Sequence, residues 1–466
     1  MRPPTLSFGL LPLFAMTLAM APAHGATITK LIDFNNSGTR ESVQNPMSTP
    51  LVIGSELWFT SEGGGEVGFG TLASYNLATN TLTKRLDLGV PDEETFYDQG
   101  NSPTSSFTRD GNLLYYTTTR GGTGDRGTLN VYNTTTGSNT VLWNSPTNSP
   151  ATNPNTPSGN VAVVDRGAAG KDVYFMTGNG GASGSGFGTI QRYNTVSGVT
   201  STVYEFAGGA TAGRQPFEGF TQVGNKLYFN TFTGGNATTT GQTPASGNGA
   251  GTLSALDVTT SGSESLATLA LLPLGDGSTR LPAHNPFYSA AQNALFFTTV
   301  GTAAQPGSLQ KFDFATGTLT TLYEVTGAPT SSGPFPDGRY IYGSAFEWGG
   351  SLYYATRQGG ALGGGTINQF DLATSTNTVL YNLSSDTGNN LGGDVQSGFA
   401  FSDWDGIPAL YLLTRQGGLY DHGTLLRIDL VPEPSRALLL MAGLATAFLR
   451  RRRPASFPHS LSPFIS

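Results

Sequence analysis

The chain has 466 residues, 64 of them glycine and none cysteine, and only 12% carry a charge, about half the usual share of ~25%. The lack of cysteine excludes a disulfide framework and a lipid-modified N-terminal cysteine, and the formal charge of −7 would repel a phosphate backbone, so nucleic acid is not an expected partner. So much glycine would also suit disorder, but aromatic and β-branched runs at regular spacing argue for folded β structure.

Residues 1–25 carry Arg2, an apolar run over 6–20 and the small residues Ala23 and Gly25 at the spacing signal peptidase reads. This predicts a secretory signal peptide and a mature chain starting near Ala26. Next comes ATITKLIDF at 26–34, which has no unit of its own. From there to residue 430 one plan recurs. A Gly-Thr step, once Gly-Ser, stands at Gly70, Gly127, Gly188, Gly251, Gly307, Gly365 and Gly423, at intervals of 57, 61, 63, 56, 58 and 58. Before each anchor stands an apolar-aromatic strand: LWFTS from Leu57, LYYTT from Leu114, VYFMT from Val173, LYFNT from Leu227, LFFTT from Leu295, LYYAT from Leu352 and LYLLT from Leu410. Repeats of this kind decide the architecture before any local reading does.

The fourth unit shows the full plan: EGFTQV from Glu218, a Gly224-Asn225 turn, LYFNT, a long loop, GTLSALD from Gly251, a Thr-Ser-Gly turn, then ESLATLALL. Four strands joined by hairpins make one antiparallel sheet, and seven such units predict an all-β, seven-bladed propeller over 26–430. A β-helix is disfavoured because its coils are far shorter than this period. Asn133, Asn194, Asp313 and Asp371 open the turns between third and fourth strands, where a side-chain oxygen caps the turn. Asp110-Gly111, Gly349-Gly350 and Asp405-Gly406 supply hairpin turns between first and second strands. The seventh unit reaches residue 430 without a fourth strand. The orphan 26–34 reads like the fourth strands NTLTKRLDL at 80–88 and GTLTTLYEV at 317–325, so it is expected to close the ring by pairing with 424–430.

Up-and-down connectivity sends the long loops, 90–105, 144–159, 232–250, 273–285 and 382–395, to one face, the default binding face. There Asp92, Glu93, Glu94, Tyr97 and Asp98 combine carboxylates with an aromatic ring, a mixture suited to sugar hydroxyls and equally to a solvated acidic loop. Arg120, Arg357 and Arg415 occupy equivalent slots, from which they could ring the channel mouth and bind anions or brace the neighbouring blade. His284 and His422 are too few and too far apart for a zinc centre, and 403–406 lacks the further acidic ligands of a calcium loop. No catalytic residue, metal or cofactor is therefore predicted. No nucleotide or nucleophile-elbow motif opens a helix.

At the other end Val431, Pro432, Glu433 and Pro434 precede an apolar run over 437–449 closed by Arg450, Arg451, Arg452 and Arg453. At ~1.5 Å per residue the run covers only ~20 Å of a ~30 Å hydrocarbon core, a marginal stop-transfer helix. VPEP, apolar helix and arginine cluster together resemble the PEP-CTERM sorting signal of Gram-negative bacteria, although the tail 454–466 continues past the arginines where such signals usually end. That resemblance implies an exosortase-type sorting protease as partner, a transient stay in the inner membrane, and an exopolysaccharide setting. Without the ends 1–25 and 431–466, the body keeps 18 basic and 30 acidic residues, a net charge of −12.

The units LYYATRQGGALGGGTINQF, LYLLTRQGGLYDHGTLLRI and LYYTTTRGGTGDRGTLNVY resemble the GloVer tandem repeat, with the usual glycine after LY replaced. The resemblance spans nearly all of the mature chain and implies a secreted or surface location, with no catalytic residues to carry over. The expectation is an exported binding or structural module of the cell envelope or extracellular matrix. The rival class is a polysaccharide lyase or glycoside hydrolase working on the long-loop face.

Overall fold

The computed structural model describes residues 26–35, 42–89, 98–146, 153–181, 186–208, 213–235, 250–272, 281–282, 284–301, 307–326 and 335–430. Residues 28–429 form one compact unit, and the chain ends form a second, of which Ala26, Thr27 and Leu430 are described. The sorting-signal residues and the apolar run 437–449 lie outside the described residues, among which no helix is long and apolar enough to cross a membrane.

The unit is a seven-bladed β-propeller of antiparallel four-stranded sheets. In blade five, Phe287–Ser289, Ala294–Thr299, Ser308–Asp313 and Thr318–Glu324 lie side by side in sequence order. The second strands carry continuous apolar runs because both of their faces are covered by neighbouring blades, and every residue of Ala294–Thr299 is buried. The fourth strands sit at the rim and alternate, as Thr81–Asp87 does. In six blades the register between third and fourth strands shifts at the same place, two or three residues past the anchor glycine, for example at Leu309/Gln310 and Ile367/Asn368. A bulge there sharpens the twist of the outer strand.

The core is a set of slabs between adjacent blades. Trp58 and Leu72 of blade one pack with Leu114 and Tyr116 of blade two. Tyr174 and Met176 pack with Leu227 and Phe229 between blades three and four. The ring closes as expected: Thr27–Asp33 is the fourth strand of blade seven, hydrogen-bonded beside Thr424–Asp429. The Phe34 amide donates to Gly423 O at 3.0 Å, and the Leu419 amide donates to Asp33 Oδ1 at 2.8 Å. Phe34, 1% exposed, packs edge-on against Phe59 of blade one at 5.7 Å in a slab that also holds Tyr411 and Leu413 of blade seven.

The Gly-Thr step has a physical cause. In all seven blades the hydroxyl after the anchor glycine shares a hydrogen bond of 2.7–3.0 Å with the hydroxyl that ends the second strand, from Ser61–Thr71 to Thr414–Thr424. To bring those strand ends together the glycine passes within reach of the same second-strand residue's carbonyl. A Cβ on any of the seven would lie within 2.7 Å of that oxygen. On Gly127 it would also strike Pro157, at the entry to the next blade. The turn caps hold as well, with Asn133 Oδ1 accepting from the Thr135 and Thr136 amides.

Candidate functional site

The chain enters six of the blades through a turn that the repeat period hides. Asn45, Ser102, Thr156, Gln215, Tyr340 and Asp394 all adopt left-handed backbone, with φ between 51° and 58°. A proline or β-branched residue follows each: Pro46, Pro103, Pro157, Pro216, Ile341 and Val395. This turn aims the next side chain at the propeller axis. Met47, Thr104, Ser158, Phe217, Tyr342 and Gln396 accordingly line one axial cavity of about 330 Å³. The corresponding position of blade five, residue 283, lies outside the described residues, and that blade contributes His284 and Asn285 instead. All seven blades therefore reach one cavity, at the end of the propeller from which the long loops emerge. Its size is at the lower end for small-molecule sites, roughly 300–1,000 Å³.

The following slot is architectural in five blades. Ser48, Ser105 and Ser397 each clamp their own second strand, accepting from a backbone amide and donating to the same residue's carbonyl: Thr60, Thr117 and Leu413 respectively. Blades three and six carry Gly159 and Gly343, for which a Cβ would meet backbone of the next entry turn. In blades four and five the slot holds Glu218 and His284. Both face the cavity, with Glu218 Oε2 4.0 Å from His284 Nδ1.

The imidazole is held firmly. His284 Nε2 lies 2.9 Å from the backbone oxygen of Gln396 in blade seven, and Asn230 Nδ2 donates to His284 O at 2.9 Å. A carbonyl can only accept, so Nε2 carries the hydrogen and, in the neutral ring, Nδ1 is the accepting nitrogen, 4.0 Å from Glu218, with the Asn285 side chain also against the ring. The Glu218 side chain is 26% exposed and lines the cavity. Burial pushes its carboxyl up to about 8, and burial lowers the His284 imidazole. Near pH 7 the pair is carboxylic acid beside neutral imidazole. Around them the lining offers hydroxyls, the amides of Asn160, Asn285 and Gln396, and the rings of Phe217 and Tyr342. The buried Ser158 hydroxyl has no hydrogen-bond partner among the described residues.

The residues singled out from sequence fall elsewhere. Asp92, Glu93, Glu94 and Tyr97 lie outside the described residues, and Asp98, half-buried at their border, does not line the cavity. Arg120 is exposed on an open groove of about 560 Å³ between blades two and three, which shares Thr119 and Thr156 with the axial cavity. Arg357 and Arg415 are engaged as braces. Both pair with the buried Asp394 of the blade-seven entry, Arg415 at 3.3 Å, and Arg415 reaches Glu62 of blade one at 3.2 Å. Asp405, at 403–406, pairs with Arg427 at 2.6 Å. Glu218 was read above as the start of a strand, but the strand is Thr221–Val223 and Glu218 belongs to the entry turn. Aligning the entries NPMST, SPTSS, TPSGN, QPFEG, LPAHN, YIYGS and DVQSG would have exposed both departures.

No family model matches the chain, and no curated protein matches it. Among solved structures it is similar to an oligogalacturonate lyase from Vibrio parahaemolyticus, with 11% identity, TM-score 0.50, and 88% of this chain covering 94% of that one. It is also similar to an oligogalacturonate lyase in complex with manganese, with 12% identity, the same coverages and TM-score 0.46. A third is TolB from Acinetobacter baumannii, with 14% identity, TM-score 0.35, and 66% of this chain covering 58% of that one. At 11% identity the likeness to the Vibrio parahaemolyticus protein is one of fold alone, the β-propeller described above.

Proposed function

We propose that this chain is an exported β-propeller that binds an uncharged, hydroxyl-rich ligand, such as a sugar unit of an extracellular polysaccharide, in its axial cavity, and serves the cell envelope or matrix as a binding module. The observation that carries this reading is the lining: seven blades converge on one cavity with hydroxyls, amides and two aromatic rings, the groups that pair with sugar hydroxyls and stack on sugar faces. The signal peptide and the PEP-CTERM-like tail support export and surface sorting through an exosortase-type protease.

The lining also weighs against the hydrolase and lyase readings. A glycosidase ordinarily uses two carboxylates roughly 5–10 Å apart, and Glu218 is the one acidic side chain among the described lining residues. A lyase acting on acidic sugars needs a cation facing the substrate carboxylate, and no arginine or lysine stands among those residues. Purified full-length protein in detergent, screened against neutral and acidic oligosaccharides for both binding and bond cleavage, is expected to bind neutral sugars and leave them intact. New reducing or unsaturated ends appearing with time would contradict the binding reading and favour an enzyme.

A further inference from the structure

We propose that Glu218 and His284 form a donor–acceptor pair that holds one hydroxyl group of the sugar between them, and that this pair selects uncharged ligands over anionic ones. The inference rests on the sugar-binding reading above and identifies where in the cavity recognition takes place.

The repeat itself is the first argument. In this slot a serine clamps the second strand or a glycine lets two entry turns meet, and both uses are architectural. Two neighbouring blades give up that use and put titratable side chains in the cavity wall, where an unpaired polar group costs about 1–3 kcal/mol. The exchange gives His284 one bond to Gln396 of blade seven but leaves both blades without the serine clamp.

Geometry is the second. A separation of 4.0 Å is too long for a direct hydrogen bond, which needs about 2.7–3.2 Å. An oxygen placed about 2.8 Å from both atoms would see them at an angle of about 90°, close to the directions of a hydroxyl's own donor and lone pairs. Such a hydroxyl accepts from the Glu218 acid and donates to His284 Nδ1. Nε2 is already committed to Gln396 O, so the imidazole cannot turn its other nitrogen to the ligand without losing that bond. Tyr342 is the other titratable side chain lining the cavity, with Arg357 stacked 5.3 Å behind its ring. Arg357 and Arg415 are in turn balanced by Asp394 and Glu62. Both of these arginines are thus paired with carboxylates rather than with Glu218. An anionic sugar here would meet a desolvated acid, with no lysine or arginine among the described lining residues.

Isothermal titration of the full-length protein in detergent, with cellohexaose, xylohexaose, mannohexaose and polygalacturonate as probes, tests the pair. For the neutral hexaose that binds best, Glu218→Ala and His284→Ala should each weaken binding about tenfold, the loss of one good hydrogen bond. Glu218→Gln, which keeps a donor and cannot ionise, should stay within about threefold of wild type near pH 7. Wild-type affinity should fall between about pH 7 and pH 9 as Glu218 ionises, and Glu218→Gln should lose that dependence. Unchanged affinity in both alanine variants, or an intact pH dependence in Glu218→Gln, would overturn the pair while leaving sugar binding standing. Binding of none of the neutral hexaoses by wild type would overturn the sugar-binding reading and the pair with it.

Discussion

Two seven-fold features of this propeller are built alike and have fared differently. At the Gly-Thr anchors every blade keeps the same device, a carbonyl too close for any Cβ and a hydroxyl pair tying two strand ends. At the entry turns a left-handed residue recurs in six blades, but the slot behind the turn breaks its pattern in blades four and five, where Glu218 and His284 stand. What the fold needs is repeated in every blade, so the positions where a repeat departs from itself at the axis are where function is to be sought.

The largest effect should come from the closure that makes the entry turns converge. Phe34→Ala should cost about 3–5 kcal/mol of stability, as expected for a fully buried ring. Deleting 26–35 should cost more, and should expose the edge of Thr424–Asp429 to aggregation. Denaturant unfolding with light scattering checks both, and a deletion variant that unfolds at the wild-type midpoint without aggregating would show that the ring is held another way.

The anchor comes next. Gly423→Ala places a Cβ against the Thr414 carbonyl at a φ of 89°, and should cost about 2–4 kcal/mol. Gly111→Ala, at a φ of 60° in open space, should cost about 1–2 kcal/mol. Equal costs in the same unfolding assay would mean that the close carbonyl is not what keeps glycine at the anchor.

The anchor and the closing strand were legible in the sequence because each rests on residue type. Only glycine fits beneath that carbonyl, and ATITKLIDF carries the alternation of a half-buried rim strand. The entry turn was harder to read, because what recurs there is a dihedral angle and, in five entries, one following proline. Asn45, Ser102, Thr156, Gln215, Tyr340 and Asp394 share a left-handed backbone and little chemistry, and loops of unequal length displace them from a fixed period. Glu218 therefore looked like the head of a strand and His284 like a lone histidine in a loop. The brace at Arg357 and Arg415 was half legible: the two arginines fall in register, but their shared partner Asp394 occupies a slot filled by Ser102, Thr156 or Gln215 in other blades.

The smallest stability change carries the most meaning. Restoring the architectural residue with the double variant Glu218→Ser/His284→Ser should supply the strand clamp seen at Ser48, Ser105 and Ser397. The folded-state pKa of Glu218 is raised, so the stability its acid form supports is complete below the ordinary carboxyl range and is lost as pH rises through about 8. The lowered His284 value acts in the opposite window, on acidification through about 6.5. Near pH 9 only the Glu218 cost remains, and the reversion removes it. The decisive measurement is therefore unfolding free energy and neutral-hexaose affinity of this double variant near pH 9 and near pH 7. The account predicts a protein at least as stable as wild type, by about 1 kcal/mol or more near pH 9, whose sugar affinity near pH 7 is weakened about tenfold or more and no longer depends on pH. A variant that is less stable than wild type and binds the sugar as well would contradict it.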